Sequence, residues 1–378
     1  MFTTLEKLSI NLTMFVGMKQ KISPTQPEVR IMYVFYNLIL KPFRSPLNIF
    51  SFGAIVVVGI CFLATVIGTV TLPLSKVIWI ICSKFPFVEI SQTWPHSWET
   101  IIWEIRIPRI FLAAIVGASL SISGATYQGL FRNPLADPYL IGVSSGAGLG
   151  ATLVLISGIS SPATLPIAAF IGGMSAVSAA YLVSKRAGGV PLMTLILAGV
   201  AISSLAGALG ALLMIRSDPD LRPVLSWLLG GFSSAQWIHS IFMLGYLIPS
   251  IGVIFLYSRI LNVFQLPDEH VKQIGVNVER AKLVLIVASS LCTSAAVSFS
   301  GLIGFVGLIA PHSARLILGV DYRNIIPFSM LIGSGFLVIS DLAARTLVSP
   351  GELPVGIVTA FCGAPFFLYL LRKREVSM

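Results

Sequence analysis

The sequence predicts an all-α polytopic membrane protein with about ten transmembrane helices. Three observations predict it: charge is scarce, it is confined to the ends of apolar runs, and those runs have bilayer length. Of 378 residues, 56% are hydrophobic and 11% charged, whereas soluble domains carry about a quarter charged residues mixed along the chain. Charge-free windows lie between Arg44 and Lys76, Arg109 and Arg132, Asp137 and Lys185, and Arg186 and Arg216. Four more lie between Arg222 and Arg259, Lys282 and Arg315, Arg323 and Asp341, and Glu352 and Arg372. About 20 apolar residues cross the bilayer core as a helix, and helix is required because hydrocarbon cannot satisfy exposed peptide groups. Two windows are too long for one span. The one after Asp137 is interrupted near Pro162 and Pro166, and the one after Lys282 contains Gly301, Gly304 and Gly307. Splitting both gives ten.

The expected spans are 47–72, 104–130, 138–159, 164–184, 191–215, 236–258, 281–300, 306–318, 327–345 and 354–371. Residues 1–45 precede them as an extension, read either as an interfacial helix or as a cytoplasmic tail. No basic start, apolar run and small-residue cleavage site follow one another there, so no signal peptide is read. Residues 46–372 form the transmembrane domain. Residues 73–103 hold Trp79, Trp94, Trp98 and Trp103 among prolines, a composition that rests at a membrane interface. Gly117, Ser121 and Ala125 share one helix face, as do Gly142, Gly146 and Gly150. Such small faces let backbones approach closely. Residues 259–282 are charged and helix-compatible; Pro267 suits a first turn, Asp268 and Glu269 its positive end, and Gly275 with Asn277 a turn. A short helix–turn–helix is expected there.

Net charge is +10, yet the basic residues form no groove and do not alternate with aromatics, which excludes a nucleic-acid partner. They sort by loop. With ten spans and an internal N-terminus, 18 of the 25 Lys and Arg fall on the inner side, which places both termini in the cytoplasm. Cys61, Cys82, Cys292 and Cys362 have no paired spacing, and the four histidines are scattered. Neither supports a metal site.

Three stretches carry more. Residues 106–150 read RIPRIFLAAIVGASLSISGATYQGLFRNPLADPYLIGVSSGAGLG; residues 301–319 read GLIGFVGLIAPHSARLILG; residues 352–371 read ELPVGIVTAFCGAPFFLYLL. Together they resemble the FecCD-type permease family, whose members serve importers of ferric siderophores, haem and vitamin B12. The similarity covers roughly residues 50–372. It implies a type II ABC importer permease fold in the bacterial inner membrane, with a second permease subunit, identical or different, two cytoplasmic ATPase subunits and an extracytoplasmic substrate-binding protein. This chain would bind no cofactor; ATP and magnesium would sit on the ATPase partner. The absence of a GxxxxGK[ST] loop agrees. Siderophore is the first substrate reading and cobalamin or haem the second; a secondary transporter without an ATPase is the rival machine.

The resemblance also implies residue roles. Pro267, Glu269, Lys272 and Gly275 match the family's coupling segment, which faces the ATPase. Arg106, Arg109 and Arg345 match arginines at the outer mouth that pair with glutamates of the binding protein. Apart from the resemblance, Arg106 and Arg109 equally suit anchors among lipid headgroups. Arg132, Asn133, Pro134, Asp137 and Pro138 read as a rigid turn near a gate, since two prolines oppose a continuous helix. Arg132 and Asp137 are expected to pair across it. His312 and Arg315 share a helix face, and Asp341 stands four residues before Arg345, a spacing suited to an ion pair.

Overall fold

The computed structural model describes residues 46–84, 91–158, 161, 163–187, 189–216, 221–266, 275 and 277–375. The chain divides into residues 1–51 and 52–378. Of the first unit, only the opening turns of a helix are described, so the reading of residues 1–45 lies outside the described residues.

Among the described residues there is no β-strand, and thirteen helices follow one another. In chain order they are α1 (Pro46–Val66), α2 (Leu74–Cys82), α3 (His96–Leu130), α4 (Val143–Ser157) and α5 (Thr164–Ser184). After them come α6 (Leu192–Arg216), α7 (Arg222–Leu228), α8 (Trp237–Leu256) and α9 (Ser258–Val263). The last four are α10 (Val278–Ser300), α11 (Val306–Leu318), α12 (Tyr322–Thr346) and α13 (Val355–Glu375). Seven of these are long and apolar enough to cross a membrane, and α4, α11 and α13 contribute shorter apolar helices. Ten apolar helices occupy the ten expected places.

Their ends differ from expectation where polar contacts intervene. The first span stops at Val66, not near 72, because its last carbonyls are taken by arginines from α3 and α12. The second starts at His96, eight residues early, and passes through a π-helical turn at Ile101–Arg106. The third starts at Val143 because the preceding turn consumes residues 131–142. Helix α12 starts at Tyr322, ahead of Pro327, because the Asp321 side chain accepts the Arg323 N–H and caps it. Pro327 removes one donor without ending the helix. Helices α2 and α7 were not foreseen, although both start where proline is tolerated.

Helix α3 is the mast of the bundle: 89% of its most apolar stretch is buried, and it packs most extensively on α12. The contact is close because side chains are small. A Cβ at Gly117 would overlap the Gly333 carbonyl, and the Ser121 hydroxyl occupies the space a Cβ of Gly333 would need. One turn further on, Gly124 meets the backbone of Gly307 on α11, and Ala125 is fully buried. The second small face behaves alike: Gly146 lies on Gly172 and Gly150 on Ala168, joining α4 to α5. Hydrogen bonds reinforce the other side of α3. Ser123 Oγ donates to the Ser289 carbonyl at 3.0 Å, and Tyr127 Oη lies 2.8 Å from Ser290 Oγ. In contrast, Leu182, Met193, Leu197, Leu205 and Ile215 on α5 and α6 are exposed, as lipid-facing side chains are.

Crowding at Gly124 and open space at Gly59 give a paired test. Gly124→Ala is expected to destabilise the detergent-solubilised protein by about 1–3 kcal/mol through overpacking. Gly59→Ala is expected to leave the thermal midpoint unchanged or slightly raised. Equal midpoints for the two variants would refute backbone contact as the basis of the α3 packing.

Candidate functional site

At one end of the bundle the three arginines singled out in the sequence converge. Arg106 closes the π-helical turn and reaches the frayed end of α1: its Nη1 donates to the carbonyls of Thr65 at 2.7 Å and Val66 at 3.0 Å, and its Nη2 to that of Val70. A side chain at Gly68 would collide with that guanidinium. Arg345 Nη2 donates to the Ala64 carbonyl at 3.3 Å. The last carbonyls of a helix have no partners within it and carry its negative dipole end. Two cations therefore cap α1 from outside.

Arg109 carries the ionic part. Its Nε and Nη2 each stand 2.9 Å from Asp341 Oδ1, and its Nη1 donates to Glu352 Oε2 at 2.9 Å. On the other side of Asp341, Arg345 Nε lies 3.1 Å from Oδ2, the i,i+4 pair read from spacing. Asp341 thus bridges two arginines at 1% exposure, while Arg106, Arg109 and Arg345 are exposed by 4%, 6% and 5%. The side chain of Glu352 is different, at 38%. Arg109 and Glu352 lie on the rim of a cavity of 530 Å³ bordered by Trp227, Phe232, His239 and a run of serines. Glu352 was not foreseen as a site residue; its signal was a lone carboxylate heading the last apolar run.

At the opposite end, residues 131–142 form the expected turn. Asn133 Oδ1 accepts the Leu135 N–H at 3.0 Å and Asp137 Oδ1 the Tyr139 N–H at 2.8 Å, side chains closing turns on their own backbone. Arg132 adopts a left-handed conformation, φ 52°, and its Nε donates to the Phe264 carbonyl. The expected Arg132–Asp137 pair gives way to these bonds. Tyr139 Oη donates to the Ile303 carbonyl at 2.9 Å, and the Pro138 ring covers Gly307. Pro134 lies nearby, beside His312 and Arg315. The turn is thereby fastened to the 303–307 hairpin between α10 and α11.

Of the coupling residues, Pro267, Glu269 and Lys272 lie outside the described residues. Gly275 has φ 75°, a left-handed turn with open space around it. Asn277 Oδ1 then accepts the Arg280 N–H at 3.0 Å and caps α10. The turn at Gly275 and Asn277 is where the sequence put it.

The shared carboxylate has an energetic consequence. Asp341→Asn leaves two buried guanidinium groups with one carboxylate fewer, and breaking such a buried pair costs about 3–5 kcal/mol. Glu352→Gln, at a half-exposed position, is expected to cost under about 1 kcal/mol. Thermal unfolding of the two purified variants checks the ranking; a reversed order would contradict it.

Comparison with known proteins extends these observations. Residues 55–373 match the FecCD transport family. The chain is 45% identical over 286 residues to the cobalamin import system permease protein BtuC of Halobacterium salinarum, covering 75% of this chain and 76% of that protein. It is 42% identical over 293 residues to the hemin transport system permease protein HmuU of Yersinia pestis, covering 75% and 87%. A solved ABC transporter described as metal-chelate type, in an inward-facing conformation, superposes with a TM-score of 0.75 at 32% identity, over 86% of this chain and 99% of that one. The ten apolar helices, the clustered motifs and these similarities place the chain in the FecCD transport family, as the membrane-spanning permease of an ABC importer.

Proposed function

We propose that this permease forms the pore, with a second permease subunit, of a binding-protein-dependent importer that carries a ferric siderophore inward across a bacterial cytoplasmic membrane. The observation that carries the reading is a family match spanning 55–373 on a fold similar to that of a metal-chelate transporter. The same machine loaded with cobalamin or haem is the second reading, supported by the names of the two similar permeases. A secondary transporter is set aside, since the relatives are permeases of ABC systems. Two ATPase subunits supply ATP hydrolysis with their own magnesium, and this chain contributes no catalytic group. Both termini then face the cytoplasm, in keeping with the sorting of basic residues.

In this reading the end bearing Arg106, Arg109 and Arg345 faces outward and receives the binding protein. The burial of Arg106 and Arg345 makes them supports of the mouth, held by α1 carbonyls. Arg109 is the group suited to docking, because its outer partner Glu352 is half-exposed. A carboxylate of the binding protein would take the place of Glu352 on Nη1, as a charge-assisted hydrogen bond. At the other end, Pro267, Glu269, Lys272 and Gly275 would face the ATPase, and the turn at Arg132, Asn133, Pro134, Asp137 and Pro138 would stiffen the inner gate. Nucleotide-driven approach of the ATPases then biases the permease pair between outward-open and inward-open states.

Uptake of labelled iron on a small panel of siderophores, with labelled cobalamin and haem alongside, tests the substrate in cells with and without the gene. Loss of one ferric chelate alone is the expected result; loss of cobalamin or haem alone would replace the substrate and keep the machine. For docking, Glu352→Gln is expected to tighten binding-protein affinity severalfold and Arg109→Ala to weaken it at least tenfold, each in reconstituted permease. Unchanged affinity in both would overturn the role of Arg109. Gly275→Val is expected to leave ATP hydrolysis running while uptake falls.

A further inference from the structure

At the end of the bundle opposite the arginine clasp lies a second cavity, of 580 Å³, that the transport reading does not use. It is bounded by Gln128 of α3, Arg132 of the turn, Asn262 of α9, Arg315 of α11 and Tyr322 of α12. Two guanidinium groups, three amides and a phenol stand among apolar surface in its lining. Arg315 Nη2 touches only neutral atoms there, Gln128 Oε1 at 3.3 Å and Tyr322 Oη at 3.2 Å. Among the described residues no carboxylate forms an ion pair with Arg315. Asp321, the one acid in the lining among the described residues, is already engaged: its Oδ1 accepts from Asn262 Nδ2 at 2.7 Å and from the Arg323 N–H at 2.9 Å. Burial alone would raise the Asp321 carboxyl, but those two donors hold it below its usual range, so it stays an anion fixed to the helix cap.

The chain just beyond Arg315 has the opposite character. Leu316, Ile317 and Val320, one to five residues beyond Arg315, project outward with 71%, 57% and 74% exposure. A guanidinium with only neutral partners, set in a cavity and followed by an exposed apolar flank, describes the site of an amphiphile with an anionic head. Guanidinium groups hold phosphate bidentately, and Tyr322 Oη, which accepts from Arg315, keeps its own O–H to donate. Basic pockets between transmembrane helices near the cytoplasmic surface suit anionic lipid headgroups. On the orientation proposed above, this cavity opens at the inner leaflet.

We propose that this inner cavity binds the phosphate headgroup of an anionic phospholipid, with Arg315 as the principal cation and the Leu316–Val320 flank against the acyl chains. A bound lipid would join α3, α9, α11 and α12 next to the turn at Arg132, and so stiffen the side of the bundle from which the coupling segment departs. The orientation rests on the importer reading; the binding chemistry does not.

Native mass spectrometry of the full chain in a mild non-ionic detergent tests it, with phosphatidylglycerol, phosphatidylcholine and inorganic phosphate as separate probes. Retention of phosphatidylglycerol over phosphatidylcholine is expected, falling about fivefold in Arg315→Gln, the effect of one surface cation on an anionic headgroup, and partly restored in Arg315→Lys. Retention equal for both lipids, or unchanged in Arg315→Gln, overturns the proposal. Arg315-dependent binding of inorganic phosphate without phosphatidylglycerol overturns the lipid source and leaves a phosphate site. Should Arg315→Gln not fold, a photoactivatable phosphatidylglycerol on the unaltered chain decides: labelling within 312–322, displaced by unlabelled phosphatidylglycerol, supports the site, and labelling only elsewhere overturns it. None of these measurements depends on transport, so their failure and that of the importer reading are separable.

Discussion

A carboxylate with almost no exposure to solvent must balance two guanidinium groups, and the positions of several helix ends follow from that need. Asp341 sits between Arg109 and Arg345, so the start of α3 and the end of α12 are brought side by side. Arg345 and Arg106 then reach past it to the last carbonyls of α1. In hydrocarbon an ion without a partner is costly, and intramembrane charges are accordingly paired and turned inward. One acid therefore determines where three helices meet. It also leaves Arg109 with a surplus of hydrogen-bonding capacity, which Glu352 occupies from the less buried side.

The two ends of the bundle share one rod. From Arg109 to Gln128, α3 rises about 28 Å at 1.5 Å per residue, close to the thickness of a bilayer core. The arginine clasp and the second cavity are thus set at opposite ends of the bundle by the length of a single helix. Between them α3 meets its neighbours through glycine and serine, where backbone lies on backbone. Such contacts tolerate little deformation, because no side chain can adjust to absorb a shift. Helix α3 transmits position as a unit, and the mobile parts of the machine are better sought in the connections around it.

The number and order of spans were legible because charge-free windows in a membrane protein report the bilayer directly. The turn from Arg132 to Pro138, the small face at Gly117 and Ser121, and the turn at Gly275 were legible for the same kind of reason: each is encoded by adjacent residues. What escaped were facts that depend on distant partners. The first span stops at Val66 because of Arg106 and Arg345, 40 and 279 positions away, and nothing in residues 60–72 announces it. Glu352 and Arg109 are separated by 243 positions. Burial of Arg106, Arg109 and Arg345 was invisible for the same reason, since a basic residue at the end of an apolar run looks the same whether it faces lipid headgroups, a partner protein or an internal carboxylate.

The π-helical turn at Ile101–Arg106 bears on how this protein can vary. Such a turn holds one residue more than α-helix would in the same place. Upstream of it lie residues 91–100 with Trp94 and Trp98, and downstream the register that seats Gly117 on Gly333. The widened turn is a slack point between these two stretches. A one-residue deletion inside it rewinds the segment as ordinary helix and rotates the upstream stretch, while every contact beyond Ile107 keeps its phase. The upstream stretch is thereby free to drift in length and orientation across descendants of this sequence, without the interior having to be rebuilt.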